Sequence, residues 1–233
     1  MKTDKLLILF ILFTGIILSS CNKTEKHERI LPLTETPILE QNGIIALQRP
    51  DTTLGFNVMR TLYHRKSTKS FDEDKKVSLE MLSNVLWAGF GVNRSAFGKR
   101  TAPSAYNAQD IDLYVCMKEG VFIYYPQDFE LKLIEKKDVR QDIAANQMYA
   151  WSAPISIVLV SNINRFPYAI EQDERLKMAT MNACYISANI GLFCSSVGLA
   201  TTPRADLDID RIATALHLNE SQIPILSNPI GYE

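Results

Sequence analysis

The hydrophobic and polar positions fall into segments of different period. Leu79, Leu82, Val85, Leu86 and Phe90 recur at spacings of three and four, the stripe of an amphipathic helix. Ser78 stands where an N-cap belongs, Glu80 lies in the first turn, and Gly89 and Gly91 mark the end. The same period runs through Ala179, Ala183, Ile186, Ile190, Phe193 and Val197, which makes Glu171–Ser196 the strongest predicted helix. Gly191 and several Ala and Ser would let another backbone approach it closely. Shorter helical patterns cover Asn57–Lys66, with Val58, Met59 and Leu62 on one face, then Leu131–Met148 with a break, and Asp208–Leu216. Ile155–Val160 is a nearly continuous apolar run, as in a strand buried on both faces. Asp112–Met117 and Val121–Tyr125 flank Lys118-Glu119-Gly120, the pattern of a β-hairpin. Pro224–Ile230 predicts a final strand or extended arm. The order fits one α+β domain over residues 45–233.

The N-terminus has a pattern of its own. Lys2 and Lys5 precede an apolar run from Leu6 to Leu18. That run is short of the roughly 20 residues a spanning helix needs. It has the length of a secretory signal core. It closes Leu18-Ser19-Ser20-Cys21, which resembles the bacterial lipobox. The resemblance implies removal of residues 1–20 as a lipoprotein signal peptide, lipidation of Cys21, and a membrane-anchored protein of the bacterial cell envelope. Residues 21–44, interrupted by Pro32 and Pro37, read as the lipidated Cys and a flexible tether.

Composition narrows the chemistry. Of 233 residues 46% are hydrophobic and 22% charged, with net charge −1, so the chain has no basic footprint for nucleic acid. Three His, no HExxH and no CxxC argue against a protein-built zinc site. Hard chemistry would therefore come from an organic cofactor. Cys116, Cys184 and Cys194 remain after Cys21. Cys184 and Cys194 would lie about 15 Å apart on one helix, beyond disulfide reach. All three are expected as buried free thiols.

Three polar constellations could bind a ligand. Arg65-Lys66-Ser67-Thr68-Lys69-Ser70-Phe71 sets cationic and hydroxyl groups on alternate positions, suited to a phosphate or a ribityl chain. Gly98 to Asn107 offers Ser and Asn donors in a loop stiffened by Pro103. Asn189 to Thr202 carries a long helix into Gly198 and an extended segment, whose backbone N–H groups could face a ligand. Read singly, each is equally a solvated turn, a polar loop or a plain helix C-cap.

In this order the three segments resemble the FMN-dependent nitroreductase family, most closely its SagB-type dehydrogenase branch. Arg65-x-Ser67-x-Lys69-x-Phe71, Leu86-Trp87-Ala88-Gly89-Phe90-Gly91, Arg100-Thr101-Ala102-Pro103-Ser104-Ala105, Gly198-Leu199-Ala200-Thr201 and Ile230-Gly231-Tyr232 carry the resemblance over about residues 55–232. It implies a mostly antiparallel central sheet surrounded by helices, an intertwined homodimer, and FMN at the dimer interface. It implies Arg65 and Lys69 on the FMN phosphate, Ser67 on the phosphate or ribityl, and Pro103, Ser104 and Asn107 along the isoalloxazine. Val197 and Gly198 would offer backbone near the flavin N5. Residue 69 is commonly Arg in the family and is Lys here, which loses a bidentate fork. Glu233 stands where many members carry a basic residue, and Arg204 is the expected substitute. The implied activity is ping-pong transfer from a small-molecule electron donor through FMN to a quinone, nitroaromatic or similar acceptor, with no side-chain nucleophile. A lipid-anchored flavin- or ligand-binding protein without turnover, or a dehydrogenase of a peptide heterocycle, are the other readings. Replacing Cys21 with Ser should abolish metabolic labelling of the protein by fatty acid and leave unprocessed precursor; unchanged labelling would contradict the lipobox.

Overall fold

The computed structural model describes residues 42–233. Cys21, the signal peptide and most of the tether segment lie outside the described residues. The framework is a seven-stranded sheet built from β1 (Ile44–Ala46), β4 (Ile111–Met117), β5 (Gly120–Tyr125), β6 (Glu130–Glu135), β7 (Ile155–Asn162), β8 (Ala200–Thr201) and β9 (Gln222–Gly231). Its spatial order is β1-β6-β5-β4-β7-β9-β8, and every pairing is antiparallel. A two-stranded ribbon, β2 (Val92–Arg94) and β3 (Lys99–Arg100), stands apart. The architecture is α+β, as the sequence implies.

Burial explains the placement of β7. Every residue from Ile155 to Ser161 is buried, because helices cover both faces of the sheet centre. Tyr114, Cys116, Val158 and Val160 share one face, packed with Val139, Ile143, Ile212 and Leu216 from the α3 (Arg140–Ala144) and α6 (Ile209–Ala215) side. The opposite face meets α5 (Gln172–Val197), where Ser187 Oγ donates to Asn228 Oδ1 of β9 at 2.8 Å. Ala179, Ala183, Ile186 and Ile190 of α5 are fully buried. Helix α2 (Leu79–Phe90) crosses α5 closely: a Cβ at Gly89 would meet Ile190 Cγ1 at 2.9 Å. The Ser78 hydroxyl caps α2 by accepting from the Met81 N–H at 3.1 Å.

Three expectations need correction. Leu131–Met148 is not one broken helix. Residues 130–135 form β6, with Leu131 opposite Tyr124 and Leu133 opposite Phe122. The short α3 and α4 (Met148–Trp151) follow it. Leu131, Leu133 and Ile134 satisfy either period locally, and pairing with β5 decides. Cys116 and Cys194 are buried, but Cys184 is exposed on the outer face of α5; burial pushes the thiols of Cys116 and Cys194 well above the usual thiol range. Finally, the apolar stripe of α1 (Val58–His64) faces away from this chain's core, leaving Val58 71% and Met59 76% exposed while Thr61 is the buried residue of the helix.

Candidate active site

The site begins where α5 stops. Gly198 takes the left-handed conformation, φ 77°, and its N–H bonds to Cys194 O. Glycine adopts this at no steric cost. Leu199 N–H bonds to the same carbonyl at 2.9 Å, which turns the chain into the edge strand β8.

A basic strap lies along that edge. Helix α1 ends as Arg65 leaves helical geometry, and residues 65–71 run out from it. Thr68 N–H donates to Thr201 O at 3.2 Å, and Asp72 N–H to Tyr232 O at 2.8 Å. Phe71 is buried with Ala153 and Ala200. Thr68 and Phe71 thus pin the strap from below, and Arg65, Ser67 and Lys69 are exposed above it. The structure therefore brings the first and third constellations together.

Charge within the strap is unequal. Lys66 Nζ pairs with Glu233 at 2.6 Å, and the Thr68 hydroxyl donates to the same carboxylate at 2.6 Å. The Lys66 hydrogen bond, helped by Thr68, holds the Glu233 carboxyl below the usual carboxylate range. Arg65 has no ion-pair partner among the described residues. The Lys69 ammonium sits 5.3 Å from the centroid of the Tyr149 ring, a cation–π contact that leaves its charge uncompensated. Tyr149 donates to Gln147 Oε1 at 2.6 Å, and Arg204 Nε donates to the same oxygen at 3.0 Å.

That chain of contacts corrects the expectation for Arg204. It is 3% exposed. Its guanidinium donates to Ile143 O, Ala144 O and Ser227 Oγ, each at 3.0 Å. Those carbonyls end α3, where helical partners run out; Ala144 O also accepts from the Gln147 N–H at 2.9 Å. Arg204 is a structural cap beneath the strap that orients Gln147 and Tyr149, and its cationic group is committed inward. Burial lowers its pKa.

The second constellation lies elsewhere. Asn182 Oδ1 of α5 accepts from Ala105 N–H at 3.0 Å, and its Nδ2 donates to buried Asp110 at 2.7 Å. The Ser104 hydroxyl accepts from Gln109 N–H at 2.8 Å, and Asn107 Oδ1 accepts from Lys99 Nζ at 3.0 Å. Pro103 is exposed. Tyr106, Asn107 and Gln109 all have left-handed φ, 54°, 54° and 46°, costly for Tyr and Gln. Asn182 precedes Val197 by fifteen positions, about 22 Å along one helix. A single chain therefore holds Pro103, Ser104 and Asn107 apart from the strap. Tyr149, Gln147, Asn182 and Asp110 were not singled out by sequence, since no local pattern signals side chains that meet only through tertiary packing.

The match to a family model decides the class. The nitroreductase family model matches residues 62–232, most of the chain. The chain belongs to the nitroreductase family. Members of this family are in general flavin-dependent oxidoreductases. A provisionally named nitroreductase from Ralstonia eutropha is 34% identical, with a TM-score of 0.76 over 87% of this chain and 95% of that one. A chain of the Escherichia coli microcin synthetase complex shares the fold at 15% identity, TM-score 0.65, over 88% of this chain and 85% of that one. A further structural neighbour comes from Anabaena variabilis, at 17% identity and TM-score 0.64 over 76% of this chain and 38% of that one. None of the curated proteins matches the chain.

As a nitroreductase, the chain has residues that fit the anionic end of a flavin nucleotide. Arg65 and Lys69 are cationic and uncompensated, the Ser67 hydroxyl is exposed between them, and a Cβ at Gly198 would meet nothing within 4 Å. Arg204→Ala should leave the Ile143 carbonyl unpaired, while Ala144 O keeps the Gln147 N–H, and lower stability by about 1–3 kcal/mol. Denaturant unfolding should show that loss, whereas the ratio of FMN to riboflavin affinity should stay at its wild-type value.

Proposed function

We propose that the protein is a membrane-anchored, FMN-dependent oxidoreductase that works as a homodimer. The observation that carries the reading is the strap. Two exposed cations with a hydroxyl between them lie along β8, the edge strand that follows the glycine turn ending α5. Arg65 and Lys69 hold the FMN phosphate, and Ser67 the phosphate or ribityl chain. The backbone at Val197 and Gly198 lies at the flavin ring. The chemistry bound FMN supplies is two-electron transfer from a small-molecule reductant to a quinone, nitroaromatic or similar acceptor. The protein's part is to bind, orient and exclude water. Lys66 contributes less, because Glu233 already neutralises it.

A second copy completes the site. Within one chain the loop bearing Pro103, Ser104 and Asn107 is about 22 Å along α5 from Val197. The apolar surface left open supports the same reading. Leu62 and Tyr63 are exposed on α1, and Leu176, Met181 and Tyr185 on α5. Soluble chains rarely leave such patches uncovered. A Cβ at Gly191 would meet nothing, so that face of α5 admits close approach. Cys21 anchors the dimer to the membrane of the bacterial envelope.

A narrower reading within the family, dehydrogenation of a peptide heterocycle as in SagB-type relatives, draws support from the shared fold with a chain of the microcin synthetase complex.

The phosphate clamp is directly testable. Removing one partner of a desolvated charge pair costs roughly 2–5 kcal/mol. At about 1.4 kcal/mol per tenfold, Arg65→Ala should weaken FMN binding by roughly 30-fold to a few thousandfold. Lys69→Ala should do less, since an ammonium lacks the guanidinium fork. Riboflavin, without the phosphate, should bind wild type and Arg65→Ala alike. Fluorescence titration with both flavins checks this; wild-type FMN affinity in Arg65→Ala would contradict the site.

A further inference from the structure

The end of β9 runs along the strap. At Gly231 the approach is close: a Cβ there would meet Phe71 Cδ1 at 3.1 Å and Pro154 Cδ at 2.8 Å. Tyr232 O accepts from the Asp72 N–H at 2.8 Å, and the Lys75 ammonium lies 4.2 Å from the centroid of the Tyr232 ring. Glu233 then reaches two strap residues at once. Its Oε1 accepts from Lys66 Nζ at 2.8 Å and from the Thr68 hydroxyl at 2.6 Å, and its Oε2 accepts from Lys66 Nζ at 2.6 Å.

Residues 66 and 68 are two apart, the spacing at which side chains of extended backbone share a side. A carboxylate that gathers Lys66 and Thr68 on one side leaves Arg65, Ser67 and Lys69 for the other. Little else sets that register. Among the described residues, Thr68 N–H to Thr201 O is the one backbone hydrogen bond made by residues 66–70. A slip of one residue in an extended segment turns every side chain to the opposite side. Counted as charge alone, Glu233 has the opposite effect: a carboxylate beside the strap repels an anionic ligand.

We propose that Glu233 is a positioning residue for the flavin phosphate: through Lys66 and Thr68 it holds the strap so that Arg65, Ser67 and Lys69 face the ligand. The proposal rests on the reading of those three residues as the phosphate clamp. Glu233 itself does not touch the phosphate. Its place in the chain is taken by a basic residue in many relatives of the family that the sequence resembles, and here a carboxylate serves the same anion indirectly, by ordering the cations that meet it.

Two measurements on the full-length protein test this. Fluorescence titration with FMN and riboflavin reads the clamp. Glu233→Ala should weaken FMN by roughly two- to fivefold, the scale of an exposed ion pair, and leave riboflavin unchanged. Glu233→Gln keeps an acceptor oxygen for Thr68 and should lose less. Thr68→Val changes no charge and should still weaken FMN but not riboflavin. Hydrogen exchange on the flavin-free protein reads the strap itself: the Thr68 amide should exchange faster in Glu233→Ala than in wild type, while amides of α2 keep their wild-type rates. If Glu233→Ala binds FMN as tightly as wild type or more tightly, the carboxylate acts only as a charge. If the Thr68 amide is unchanged, the carboxylate holds nothing. Either result would overturn the proposal. Failure of the clamp reading shows separately, as wild-type FMN affinity in Arg65→Ala, and would overturn both.

Discussion

A rigid helix cannot bring both ends of its length to one place. Helix α5 is 26 residues long and uninterrupted, and it fixes the functional geometry. Near its middle Asn182 grips the loop before β4, and at its C-terminal end Gly198 turns the chain into β8, where the strap is tied down by Thr68. The two groups of polar residues are therefore held apart by helical rise, whatever the side chains do. The proposed sharing of one flavin between two copies follows from that distance. The small residues of α5 serve both ends of the account: Ala179 and Ala183 are buried against this chain, while Gly191 is open.

The electrostatics of the strap rest on a division of labour. Glu233 takes Lys66 out of play, which leaves Arg65 and Lys69 as the cations available along the β8 edge. Arg204, despite its charge, is drawn beneath the strap by the carbonyls at the end of α3, where it orients Gln147 and through it Tyr149. The face of that tyrosine supports Lys69. A buried arginine is thereby linked to an exposed lysine through two neutral side chains, without sharing its charge.

Sequence carried much of this, for identifiable reasons. Helix α2 was legible because cap, stripe and terminal glycine agree, and β7 because a strand covered on both faces has few polar positions. The strap and the Gly198 turn were legible as local patterns. Residues 130–135 were misread because a short apolar cluster fits two periods until a partner strand chooses one. The outward stripe of α1 and the exposed Cys184 look the same in sequence whether the covering surface is the chain itself or another copy. Arg204 was misassigned because charge is visible in a sequence and burial is not.

The central claim is that two copies of this chain build each flavin site. Light scattering on the full-length protein with FMN, with the detergent contribution subtracted and flavin absorbance recorded across the same peak, tests it most directly. FMN should travel with a species of twice the chain mass. FMN travelling with a stable single chain would contradict it.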